Sequence, residues 1–328
     1  MARPRDLNMQ GLSSSRLARG VAYGMAAGLM WGGIFSVPLL LPDYPPLALS
    51  AGRYLAFGLI VLIPAWFDRR RLAALEPRDW WKALELSLVG NLLYYCCIAF
   101  AAQNAGAPMT AMMIGTLPVV LSIVGNLSDP QLSWRRLALP LVVIAAGLAL
   151  VNADEWQRGG GGVAGGNYAL GVVAALAALF CWTWYPLRNA AWIKARPRLS
   201  MTSWATAQGL TTGPLALLAF IPVALLPGYD WPLGPDAGRY LALMATLGLC
   251  ASWLGTLFWN KTSQILPTAL SGQMIVFETV FGLAIAFGLR GEWPSATTAA
   301  GIALLIIGVL FGVRAARHTN PAPQVALP

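Results

Sequence analysis

Histidine is nearly missing from this chain, with His318 the single residue of its kind in 328. A Ser-His-Asp triad needs an internal histidine and a multi-histidine metal site needs several, so both are excluded. Cysteine is scarce as well. Cys96, Cys97, Cys181 and Cys250 all fall inside apolar runs. They lack the paired spacing of a zinc site and the loop placement of a disulfide framework, and read as small buried apolar residues. Charged residues make up only 11%, against about 25% in a soluble domain. Glycine runs consecutively from Gly159 to Gly162, but no Lys-Ser or Lys-Thr follows and no strand precedes it. A phosphate loop is therefore excluded, and with it a nucleotide-driven pump. No motif implies a cofactor.

What fills the chain instead is apolar sequence, 57% of it. It comes in runs of the length a helix needs to cross a bilayer, roughly 20 residues. The chain reads as an all-α, polytopic membrane protein. Its net charge of +9 is then a question of loop placement and gives no reason to expect nucleic acid. Ten spans are expected, at about 20–41, 47–67, 83–102, 108–127, 137–151, 168–191, 201–226, 239–260, 267–289 and 295–313. The first is too long for a signal-peptide core and is read as retained. This gives an N-terminal segment (1–19), a first unit of five helices (20–151), a Gly-rich linker (152–167), a second unit of five (168–313) and a tail (314–328).

Charge supports that count. With the N-terminus cytoplasmic, only Arg158, Arg239 and Arg290 fall outside, and Arg53 falls within a span. The other 18 of the 22 lysines and arginines fall inside, as the positive-inside rule requires. Both termini are then cytoplasmic. Five spans per half also make the second half enter the membrane from the opposite side. Related halves would be inverted repeats, a common plan in secondary transporters. Trp31 has a counterpart in Trp182, Pro108 in Pro267, and Leu117-Pro118-Val119 in Phe277-Glu278-Thr279. Asp129, Leu132 and Ser133 stand loosely where Glu292, Pro294 and Ser295 stand.

The ending Gly291-Glu292-Trp293-Pro294-Ser295, then Gly301, Ile302, Ile306 and Gly308, resembles that of the EamA-type drug/metabolite transporters. Trp31-Gly32 resembles the family's opening. The resemblance runs from about Gly20 to Val313 and implies ten helices in two inverted five-helix repeats around a central cavity. Asp129-Pro130 departs from the Gly-Glu more usual there; its place in a loop implies little consequence. Within the superfamily the chain is most similar to YddG-type exporters of aromatic and other amino acids. Tyr94-Tyr95 and the aromatic sixth span (Phe180, Trp182, Trp184, Tyr185) are consistent with that.

Several residues are candidates for the substrate path. Glu278 sits near the middle of the ninth span, where a carboxylate is expensive and faces a bundle interior or a wet cavity. It hydrogen-bonds a substrate amine, binds a proton, or stays neutral against a neighbouring helix. Gln273 lies five residues earlier. Asn91, Tyr94 and Tyr95 fall within about one turn; they line a cavity or bond helix to helix. Trp182 with Tyr185, and Trp253 with Thr256, share helix faces, and Trp31 closes a glycine ladder of Gly20, Gly24, Gly28 and Gly32. Such ladders admit close helix approach. Pro118 is a hinge or a static bend. Arg53 lies near the start of its span, within snorkelling reach of the interface.

The expectation is a secondary transporter, working as a monomer in lipid and exporting neutral amino acids and similar metabolites across a bacterial inner membrane. Aromatic walls with one carboxylate also suit export of hydrophobic or quaternary ammonium cations. An intramembrane enzyme lacks a base and a second carboxylate near Glu278.

Overall fold

The computed structural model describes residues 14–41, 43–105, 107–130, 132–159, 167–225, 233–291 and 293–317. Among these residues there is helix and no strand. In chain order the helices are α1 (Ser14–Gly32), α2 (46–67), α3 (77–105), α4 (107–128) and α5 (Trp134–Gly159), followed by α6 (Tyr168–Lys194), α7 (Met201–Ala224), α8 (Ala237–Ile265), α9 (268–290) and α10 (Ala296–Arg317). A short 3₁₀ turn, Gly33–Ser36, carries α1 into Val37–Leu40, and Arg69–Ala73 forms one further turn before α3.

Among the described residues seven stretches are long and apolar enough to cross a membrane, and they correspond to α2 and α5 through α10. The other three are shorter or broken. α1 opens on Arg16 and Arg19, and α3 passes through a π-helical segment at Leu88–Leu93. α4 pauses at Thr116 and restarts with Pro118 in its next turn. Proline has no N–H for the residue four back, and the Thr116 hydroxyl donates to the Met113 carbonyl at 2.7 Å. α8 has its own π-segment at Gly248–Leu254. α9 pauses at Met274 and Ile275, so Glu278 falls in the first turn of its second piece.

Several expected boundaries move. The first helix begins at Ser14, six residues before the expected 20, because Leu17 is already fully buried. The expected linker is helical as far as Gly159, where Asp154 accepts hydrogen bonds from Ser295 (2.9 Å) and Thr298 (2.7 Å) of the last helix and its approach. Residues 160–166 of that linker and the tail from 318, including His318, lie outside the described residues. The charged loop before α3 is largely helical, and its Glu76 N–H donates to Asp79 at 2.9 Å. Cys96 is exposed rather than buried, and Phe180 points outward, 67% exposed. Gly291 ends α9 in the left-handed conformation (φ 66°), which a side chain would resist.

The glycine ladder of α1 lies along α9. A β-carbon at Gly28 would stand 2.9 Å from the Glu278 backbone nitrogen, and one at Gly32 would stand 2.8 Å from that of Gly282. α5 packs on α10, α3 on α6, α2 on α7, α4 on α9, and α1 on both α8 and α9. Two cores result. One is aliphatic, built by Leu137, Ile144, Leu148, Leu270, Leu305 and Val309. The other is aromatic, built around Trp31, Tyr185, Trp204, Tyr240 and Trp259.

The two ends of the bundle are tied differently. At the end rich in arginine and lysine, Lys194 pairs with Asp129 at 2.8 Å and donates to Thr268 at 2.9 Å. Asp129 therefore has a structural role that its place after α4 did not suggest. Arg196 lies 2.8 Å from Asp79, a charge contact rather than an aligned hydrogen bond. Arg188 reaches Glu85 at 3.4 Å, and Ser203 bonds Asp68. At the opposite end Tyr44 donates to the Leu233 carbonyl (2.9 Å) and accepts from the Asp236 N–H (2.8 Å). It stacks on Tyr240 at 4.9 Å. Asn104 accepts from the Asn167 N–H at 3.2 Å.

Candidate functional site

The aromatic core converges where α1, α3, α6 and α8 meet. Trp31 is 5% exposed, and its indole donates to the Ala251 carbonyl at 2.9 Å. That carbonyl belongs to the π-segment of α8, where the ordinary i→i−4 ladder is interrupted. Gly255, one turn on, makes room for the indole: a β-carbon there would sit 2.5 Å from Trp31 Nε1. Trp182 stands edge-on to Trp31 at 5.2 Å, with Tyr94 at 5.5 Å and Tyr185 at 5.9 Å. Trp259 flanks Trp31 at 5.5 Å. Tyr185 donates to Gln208 Oε1 at 2.9 Å and lies over Gly90, where a β-carbon would meet its ring at 2.6 Å.

A carboxyl group and a guanidinium lie near this core. Glu278 follows directly from the α1–α9 contact at Gly28, one turn before Trp31. It is deep in the bundle yet half-buried rather than sealed. Arg53 projects from α2 about a third of the way along it, not from its end. Its Nε donates to the Ser252 hydroxyl at 3.0 Å, next to Ala251, and its guanidinium lies 4.9 Å over the Tyr54 ring. Snorkelling is therefore not what Arg53 does. Arg53, Tyr94 and Glu278 are close enough to act on one another electrostatically, with Tyr54 and Tyr95 alongside. A first turn of a helix is also where a carboxylate is favoured by the backbone dipole.

Sequence reasoning missed Arg53. The signal was its depth: six residues into Leu47–Phe67, at about 1.5 Å per residue, puts its Cα roughly 9 Å from the span's start.

The remaining candidates spread out. Trp31, Tyr94, Trp182 and Tyr185 are brought together, with Glu278 within electrostatic reach of Tyr94. Asn91 donates to Thr212 at 3.0 Å, joining α3 to α7. Tyr95 and Trp253 pack beside Tyr54 and Phe57, and the Trp253 indole donates to Thr206 at 3.3 Å. Gln273 is apart from the cluster: it is fully buried under Gly312 of α10, and its amide finds no hydrogen-bond partner among the described residues. Pro118 is buried where α4 meets α9, and Ser122 donates to its carbonyl. A separate pocket of about 360 Å³ opens at the basic end beside Arg19, Tyr23, Ser200 and Lys261. Among the described residues no cluster of His, Cys, Asp and Glu is arranged to hold a metal.

Comparison with known proteins gives three results. The model of the EamA-like transporter family matches residues 18–153. The Inner membrane protein YtfF of Escherichia coli (strain K12) is 46% identical over 305 residues, spanning 90% of this chain and 95% of its own length. A crystal structure bearing only the description "Crystal structure of protein" superposes with a TM-score of 0.71, covering 92% of this chain and 98% of its own. At 18% identity it establishes a shared fold and nothing further.

Proposed function

This chain belongs to the EamA-like transporter family, and from that premise we propose that it is a secondary exporter of amino acids, aromatic and other neutral ones, working by alternating access in a bacterial inner membrane. The observation that carries the reading is Glu278: a carboxyl group on the first turn of a broken helix, half-buried, packed through its backbone against Gly28 and within electrostatic reach of Tyr94, which itself packs on Trp182. Broken helices whose ends face a midplane site are how many secondary carriers hold polar substrates.

In this reading α1, α3 and α4 also cross the membrane, giving ten spans in two five-helix repeats around a central cavity, with both termini cytoplasmic and the basic end inside. The packing supports the inverted repeat. Exchanging α1 for α6, α2 for α7, and so on, turns the α3–α6 contact into α8–α1 and returns α2–α7, α4–α9 and α5–α10 to themselves. The π-segments of α3 and α8 exchange, and so do the breaks in α4 and α9. A monomer suffices, because both repeats lie on one chain. Export of quaternary ammonium or hydrophobic cations fits the aromatic walls, but Arg53 in the same cluster opposes a cation without a carboxylate.

The test is uptake of labelled phenylalanine, threonine and methionine by the purified chain in liposomes, with and without a proton gradient. Uptake above protein-free liposomes is expected, and Glu278→Gln is expected to reduce it at least ~10-fold, the loss of one charge-assisted hydrogen bond. Transport of a quaternary amine with no amino-acid uptake would transfer the function to the cation reading.

A further inference from the structure

Arg53 and Glu278 are an unusual pair. Every other acid engaged inside this bundle has a protein partner: Asp68 has Ser203, Asp79 has Arg196, Asp129 has Lys194, and Asp154 has Ser295 and Thr298. Arg53 uses only its Nε, on Ser252. Among the described residues the Glu278 side chain makes no hydrogen bond and no ion pair, and no carboxylate oxygen lies within 4.0 Å of the Arg53 guanidinium. A guanidinium and a carboxyl group thus stand within electrostatic reach of each other and of Tyr94 and do not touch. In an apolar interior, unpaired charges are costly, and such residues are held apart where something else completes them.

The scaffold keeps them apart. Arg53 is fastened to the π-segment of α8 through Ser252, and the neighbouring Ala251 carbonyl holds Trp31. Trp31 is one turn from Gly28, whose contact with the α9 backbone sets where Glu278 stands. Trp182 and Tyr94 pack with Trp31 into one aromatic wall, and Tyr94 is within electrostatic reach of both groups. The enclosure therefore offers a planar fork of N–H donors, a carboxylate, and aromatic faces.

We infer that Arg53 and Glu278 recognise the two ends of one zwitterion: the Arg53 guanidinium binds the α-carboxylate, Glu278 binds the α-ammonium, and Trp182 with Tyr94 bear the side chain. This deepens the amino-acid reading above and rests on it. Arg53 becomes the residue that separates amino acids from amines. A guanidinium suits this task because its fork matches a carboxylate bidentately. Side-chain selectivity is loose, since the aromatic wall contacts any apolar group. Selection is strict at the α-carbon, where both charges are read.

The test uses the full chain in liposomes and four probes: phenylalanine, phenylalaninamide, 3-phenylpropionate and phenethylamine. Each analogue lacks one of the two charges: the amide and phenethylamine lack the carboxylate, and 3-phenylpropionate lacks the ammonium. The wild-type chain is expected to prefer phenylalanine over the amide and over 3-phenylpropionate by ~100-fold, because a site built for a charged group rejects the analogue that leaves it unpaired. Arg53→Gln is expected to erase the preference over the amide and keep the preference over 3-phenylpropionate; Glu278→Gln is expected to do the reverse. That crossed pattern is something misfolding cannot produce. Arg53→Lys, which keeps charge without the fork, is expected to fall between. A wild-type chain that takes the amide as well as the acid overturns the inference while leaving amino-acid export standing. So does an Arg53→Gln chain that still discriminates. Uptake of phenethylamine without phenylalanine overturns both readings together. The wild-type comparison alone decides the matter if a variant does not fold.

Discussion

The two ends of the bundle are closed by different chemistry. At the basic end, helices from the two halves of the chain meet through ion pairs: Arg196 with Asp79, Lys194 with Asp129, Arg188 with Glu85. At the other end, Tyr44 bridges to Leu233 and Asp236 through neutral hydrogen bonds and a ring stacked on Tyr240. Charge contacts reach farther than hydrogen bonds, but solvent and salt weaken them. Hydrogen bonds to the backbone are short-ranged and indifferent to salt. Ties of these two kinds yield under different conditions, so the two ends can loosen separately.

Removing Arg196 gives the largest expected effect. The Asp79 side chain is only 6% exposed, so Arg196→Ala leaves a nearly buried carboxylate without its counter-charge, at a cost of roughly 3 kcal/mol. It also uncovers Trp192, which the guanidinium covers at 3.6 Å. Melting of the purified protein is expected to shift down, and amide exchange is expected to quicken across 77–82 and 193–203 while 233–240 stays protected. Equal quickening at both ends would mean that the ends are not independent.

Tyr44→Phe is the counterpart at the other end and the next in size. It keeps the ring stack and removes both hydrogen bonds, for about 1 kcal/mol. Exchange is expected to rise near 233–240 and to stay level near 193–203. Protection unchanged at both ends would show that the ring stack, not the hydroxyl, holds this end.

How much of this was legible depends on how local its cause is. The ladder Gly20, Gly24, Gly28 and Gly32 announces close helix approach, and it lies against Leu266 and then along α9 as far as Gly282. Pro118 announces a break, and α4 breaks two residues earlier, where its missing N–H first matters. Glu278 and the Trp31, Tyr94, Trp182 and Tyr185 group were visible as residue types whose placement in a span calls for explanation. Arg53 was misread because its role depends on Ser252, 199 residues away. The π-segments of α3 and α8 leave no composition signal, since the extra residue in each is accommodated by neighbours such as Tyr185 over Gly90 and Trp31 over Gly255. Gln273 matched the pattern of a cavity residue, yet its position is set by Gly312, a partner supplied by another helix.

The smallest expected effect is the most discriminating. Lys194 and Asp129 are partly exposed, at 29% and 39% of their side chains, so solvent screens their attraction and Lys194→Gln costs only about 0.5 kcal/mol. Salt supplies the sharper reading. The screening length falls from about 10 Å at 0.1 M to about 3 Å at 1 M. Raising sodium chloride over that range is expected to quicken exchange at 188–203 in the wild-type chain and to leave 233–240 unchanged. In Lys194→Gln the salt response of the basic end is expected to shrink, because part of what salt weakens is already gone. It is not expected to vanish, because Arg196 sits against a nearly buried partner and is screened less. A salt response that is the same at both ends, or the same with and without Lys194, would place the closure of the basic end in its apolar packing. The ion pairs would then be passengers on contacts such as Trp192 against Trp204 at 6.5 Å.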